Sequence, residues 1–201
     1  QGDVREHIAA LEDCGAEAVA VKTASEISTV DALVFPGGES TTIAKLARSF
    51  DLFDLIQNRI KDGDIDVLIN NAGYGLNQGF TMSDLMDEIA VLKILCEAPM
   101  RLAHASLPSM LAKNSGIIIN VSSVAAWITG GHYSAMKSYL MVLSESLHTE
   151  LAETAVKVCS LAPGFTHTEF HQRGKMKMDS LPNFMWLNAD EVVATAWQDA
   201  I

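Results

Sequence analysis

DVLINNAG (residues 66–73) is the stretch that decides how this chain folds. An apolar, β-branched run closed abruptly by Asn-Asn-Ala-Gly reads as a buried strand that ends in a turn. Working outward from it, runs of the same kind ending in Gly, Pro, Asn or Ser lie at 16–22, 32–35, 65–70, 116–122 and 156–161. Between them apolar residues recur at helical spacing. The resulting helices are expected at 4–11, with Asp3 as cap, and at 41–50, 52–60, 83–112, 133–153 and 190–201, the last capped by Asn188 or Asp190. A break is expected at Phe50–Asp51, and a kink or start at Pro99. Strands alternating with helices predict an α/β fold of three layers, a mostly parallel sheet with helices on both faces. No repeat or Gly/Ser-rich linker interrupts the pattern, so residues 1–201 read as a single domain.

Composition narrows the function. A net charge of −11 and a pI near 4.8 exclude the basic surface that nucleic acid requires. With 49% hydrophobic and 19% charged residues the chain can bury a core. No apolar stretch reaches the ~20 residues of a membrane span, and no leader pattern opens the sequence at Gln1. Cys14, Cys96 and Cys159 have neither disulfide nor zinc spacing, so reduced thiols and a cytoplasmic location are expected, with Cys14 and Cys159 buried.

Three groups of residues could carry chemistry. Tyr133 and Lys137 are four apart and share one helix face. An ammonium beside a phenol favours the phenolate and would draw the tyrosine toward neutral pH. Ser123 closes the preceding strand, ten residues before Tyr133. PGGEST (36–41) runs from strand to helix, so the backbone of Gly37, Gly38, Glu39 and Ser40 forms a candidate anion loop. His167 and His171 share a helical spacing but lack a third ligand, so no metal site is expected. Met176, Met178, Met185 and Trp186 suit an apolar lid or an exposed segment.

On DVLINNAG, NVSSVAA (120–126), YSAMK (133–137) and LAPGFTHTEF (161–170), residues 64–201 resemble the short-chain dehydrogenase/reductase family. The resemblance implies hydride transfer between NAD or NADP and a small carbonyl or alcohol substrate of unspecified class. It gives Ser123 the substrate oxygen, Tyr133 the proton, and Lys137 both the tuning of Tyr133 and the nicotinamide ribose. Asn70, Ala72 and Gly73 would support the adenosine side of the cofactor, and Pro163, Gly164 and Thr168 its carboxamide. Two features depart from the family. The TGxxxGxG turn that meets the pyrophosphate is absent, and Leu95 stands where an asparagine holds the proton-relay water.

Residues 1–63, through QGDVREHIAALEDCGAEAVAVK (1–22) and VFPGGESTTIAKLARSF (34–50), resemble the glutaminase subunit of pyridoxal 5'-phosphate synthase. There the 36–41 loop would cradle glutamine. Asn71 occupies the place of the nucleophilic cysteine, so glutamine hydrolysis is a remote expectation. The seam at Asp64 falls at equivalent points of the two sheets, which implies a flavodoxin-like/Rossmann-like hybrid. The expectations are an oxidoreductase by ancestry with a weakened cofactor site, or an engineered hybrid that folds without turnover.

Overall fold

Ladder pairing separates two kinds of apolar run in this chain. The structure, a computed structural model, describes residues 4–34, 47–49, 51–62, 65–167 and 182–200. Its contacts group into two units, Gln1–Asp64 and Ile65–Ile201.

The first unit contributes helices α1 (Val4–Asp13), α2 (Ala24–Ile27) and α3 (Leu52–Lys61). Glu26 caps α2 by accepting the backbone N–H groups of Lys22 and Thr23. Arg59 ties α3 to α2, its guanidinium donating to the carbonyls of Ile27 and Val30 at 2.9 and 3.0 Å. Asp51, with a left-handed φ of 56°, starts α3 and marks the expected break. The runs at 16–22 and 32–34 are not strands, which corrects the expectation. Among the described residues neither has a ladder partner, and Val19 and Val34 are exposed. β propensity becomes a strand only where a neighbour completes the hydrogen bonds. Cys14 is exposed rather than buried, because it falls in the turn just past α1. PGGEST and most of the expected 41–50 helix lie outside the described residues.

The second unit holds a parallel sheet in the order β1 (Val67–Asn70), β2 (Gly116–Val121), β3 (Val156–Leu161). Val67 pairs with Ile117 and Asn70 with Asn120, while Gly116 pairs with Val156 and Val121 with Leu161. From β1 to β2 the chain passes through α4 (Leu85–Leu92), a π-helical turn at Lys93–Glu97, and α5 (Ala98–Lys113). From β2 to β3 it passes through a 3-10 turn (Val124–Trp127) and α6 (His132–Glu150). Two right-handed crossovers stepping the same way put α5 and α6 on one face. There Ala103, Met110, Ile118, Leu151, Val156 and Val158 form the main core. A last helix, α7 (Ala189–Ala200), packs on β3 from the opposite side, bringing Asp199 close enough to Cys159 to act on its thiol. Helices on both faces make three layers.

A short parallel pair, β4 (Phe165–Thr166) with β5 (Trp186–Leu187), was not legible in the sequence. The long helical stretch expected at 83–112 is interrupted by the π turn, with Pro99 in the first turn of α5.

Candidate active site

The end of β2 and the start of α6 build the site. Ser122 and Ser123 leave the strand. The Ser122 hydroxyl donates to the carbonyl of Lys137 at 2.8 Å, and Ser123 Oγ accepts from Ala125 N at 3.1 Å, capping the 3-10 turn. The Ser138 hydroxyl reaches the carbonyl of Ala126. The first turns of α6 are thereby bolted to the strand end. Tyr133 and Lys137 sit one turn apart on that helix, and the Tyr133 hydroxyl hydrogen-bonds the Ser123 side chain. Lys137 Nζ lies 5.7 Å from the centre of the Tyr133 ring. Serine, tyrosine and lysine therefore meet.

Burial governs their charges. Lys137 is 5% exposed, and its ammonium donates to the carbonyl of Val121 at 2.7 Å. Desolvation pulls its pKa down to about 8, with the neighbouring Cys96 pushing the other way. Tyr133 is raised above the ordinary tyrosine range by burial, against an opposing pull from its bond to Ser123. The sequence reading expected the phenol to be drawn toward neutral pH. Desolvation of the ring outweighs that here.

The other candidates surround this trio. The Asn70 amide donates to Asn120 Oδ1 at 2.8 Å, and the Asn120 amide donates to Ser144 Oγ at 2.8 Å, a buried polar chain linking β1, β2 and α6. Ala72 is exposed and Gly73 half-buried at the mouth of β1. The Pro163 carbonyl accepts from Val124 N at 3.1 Å, which draws the Pro163–Gly164 turn beside Ser123. His167 stacks on Trp186 with ring centres 4.7 Å apart. Thr168, His171, Met176, Met178 and the Gly37–Ser40 loop lie outside the described residues.

A family model of short chain dehydrogenases matches residues 10–178. The chain belongs to the short-chain dehydrogenase family. The structure of this short-chain dehydrogenase chain is similar to that of a short-chain dehydrogenase from Sphingobium yanoikuyae in complex with NADPH. That match has a TM-score of 0.68 and 24% identity, and covers 81% of this chain and 72% of the other. A gluconate 5-dehydrogenase from Burkholderia cenocepacia, in complex with NADP and tartrate, gives a TM-score of 0.65 at 23% identity, covering 82% and 76%. At these identities the likeness concerns the fold. A stretch of 63 residues, 31% of the chain, is 62% identical to the pyridoxal 5'-phosphate synthase subunit PdxT of Acidothermus cellulolyticus and 59% identical to that of Nocardia farcinica. The chain spans 30% and 28% of the length of these two relatives. It thus carries sequence of both families.

The departure at Leu95 has a structural form. Leu95 is 1% exposed inside the π turn and packs with Val91, Cys96 and Met136, against Leu76 and Tyr133. A Cβ on Gly73 would come within 2.6 Å of Leu95 Cδ2 and 3.9 Å of Lys137 Nζ. The leucine side chain thus abuts the NNAG turn at Gly73. Sequence reasoning overlooked Glu88, whose buried carboxylate meets Ser83 and His132 beside this site. Two polar residues 44 positions apart give no pattern to read.

Proposed function

We propose that this chain carries the catalytic half of a carbonyl/alcohol oxidoreductase, with NAD or NADP as hydride carrier and a weakened hold on that carrier. The observation that supports this is the meeting of Ser123, Tyr133 and Lys137 at one strand end. Ser123 would hold the substrate oxygen, and the Tyr133 hydroxyl would exchange the proton with it. Lys137, charged below about pH 8, would favour the phenolate and offer its ammonium to the nicotinamide ribose. Pro163 and Gly164 would border the carboxamide, and Ala72 and Gly73 the adenosine side. The bound nicotinamide supplies or accepts the hydride. Without the glycine turn, little holds the pyrophosphate. The substrate is a small molecule. A cytoplasmic location accords with free thiols, and the acidic charge speaks against nucleic acid. Among the described residues no helix is long and apolar enough to cross a membrane.

Calorimetric titration with NADH and NADPH, followed by assay over a panel of ketones and aldehydes, tests this reading. Weak binding and slow turnover that disappears in Tyr133→Phe are expected. Turnover surviving Tyr133→Phe would sink it. Affinity near or tighter than about 1 μM would overturn the weakened hold on the cofactor.

A second reading is favoured by Leu95 abutting the NNAG turn: a hybrid of two related folds, joined by design at Asp64, that folds as one domain and turns nothing over. A single cooperative unfolding transition with no cofactor titration is its signature, and two separated transitions would count against it.

A further inference from the structure

We propose that Glu88 and His132 form a partly buried tether that positions Tyr133 within the site. This rests on the reading of Tyr133 as the proton-exchanging group.

The first turn of α6 has no side-chain cap. It follows Gly130 and Gly131, and Gly131, with φ +85°, stands at the cap position without a side chain to close the first turn. Gly130 N donates to Ser134 Oγ at 3.2 Å, a bond internal to the segment. The polar link from the first turn to the neighbouring helix is His132, beside the apolar packing of Tyr133 on the Val91 cluster. Its Nδ1 lies 2.5 Å from Glu88 Oε2, and the Phe80 ring packs edge-on against the imidazole with centres 5.3 Å apart.

On the other side of the pair, Glu88 is 6% exposed, and its second oxygen accepts the Ser83 hydroxyl. Those bonds, Ser83 first and His132 second, hold its carboxyl below the usual range. A buried carboxylate with both oxygens committed fixes direction as well as distance. Glu88 stands one turn before Val91, a residue of the cluster that packs against Tyr133. One face of α4 therefore sets the imidazole through Glu88 and supports the adjacent phenol through Val91. Tyr133 is the next residue after His132, so release of His132 would let the first turn rotate and move the phenol from Ser123.

The test uses the full chain with ring-labelled tyrosine, observed by NMR. There are three tyrosines, and Tyr133→Phe assigns the signal of interest. Glu88→Gln and His132→Gln are each expected to displace the Tyr133 resonances, the double variant no further than the singles. Tyr139 should stay in place. Glu97→Gln, which breaks the surface pair with Arg101, should move none of the three. If Glu88→Gln does not fold, His132→Gln carries the test, since its side chain is 26% exposed. Unmoved Tyr133 resonances in a folded variant overturn the proposal. Where the wild type turns over, kcat should fall about ten-fold with KM for NADPH unchanged. Absence of wild-type turnover would fail the oxidoreductase reading and leave the resonance shifts to decide the tether by themselves.

Discussion

The runs AEAVAVK (16–22) and VKVCSL (156–161) look alike as sequence, yet only the second is a strand. Val156 and Val158 are 4% and 2% exposed in the main core, whereas Val19 is 54% exposed. The two units differ in the same way. Among the described side chains before Ile65, Ile27 is the buried one, while the second unit holds two packed clusters. Apolar alternation reports a willingness to pair. Whether a partner exists depends on the rest of the chain.

The largest expected effect sharpens that contrast. Ile118→Ala, in a side chain with no exposure, should cost about 2–5 kcal/mol in urea melts. Val19→Ala should stay within about 0.5 kcal/mol. Comparable losses at both positions would mean that 16–22 is packed after all.

Lys137 gives the next effect. Burial penalises its charged form, so the folded chain releases the proton near pH 8 and the unfolded chain near pH ~10.4. Between those values the unfolded chain binds the extra proton, and stability climbs as pH rises through the window. The gain approaches about 3 kcal/mol, and the penalty is present in full below pH 8. Melts of the wild type and Lys137→Met across this range should show the climb in the first and its loss in the second. A parallel climb in both would assign it to other groups.

Legibility followed the same division. The central strands, α6 and the Ser123–Tyr133–Lys137 grouping could be read because local pattern and tertiary partner agree there. The cap of α7 was legible in part, and Asn188 fills it, its Oδ1 accepting from Asp190 N at 2.8 Å. The β4–β5 pair was not, since two-residue strands have no periodicity and their partners come from distant parts of the chain. The π turn was invisible because its apolar residues continue the helical stripe on either side. Glu88 and His132 lie 44 positions apart, and only the fold brings them into contact.

Smaller effects probe the site edge. Leu95→Asn puts an amide where the family keeps one, and turnover, where measurable, should rise in progress-curve assays. Stability should fall by about 1–3 kcal/mol, because a fully buried amide there has no evident partner. A faster enzyme without the stability loss would mean that the amide found one. Asn188→Ala, which removes the α7 cap, should cost about 1 kcal/mol in the same melts. A null result there would put α7 outside the cooperative core.

The π turn carries a consequence for tolerance to changes in chain length. Each of its bonds spans one residue more than an α-helical bond, so Lys93–Glu97 stores a spare residue between two ordinary helices. Deleting one residue there can be absorbed by tightening the loop to α geometry. The same deletion within α5 would swing everything downstream by about 100° and turn Ala103 and Met110 out of the core. Which side chain abuts Gly73 is therefore a matter of phase as much as of residue type, and shortening the turn is a route to withdrawing Leu95 that no point substitution offers.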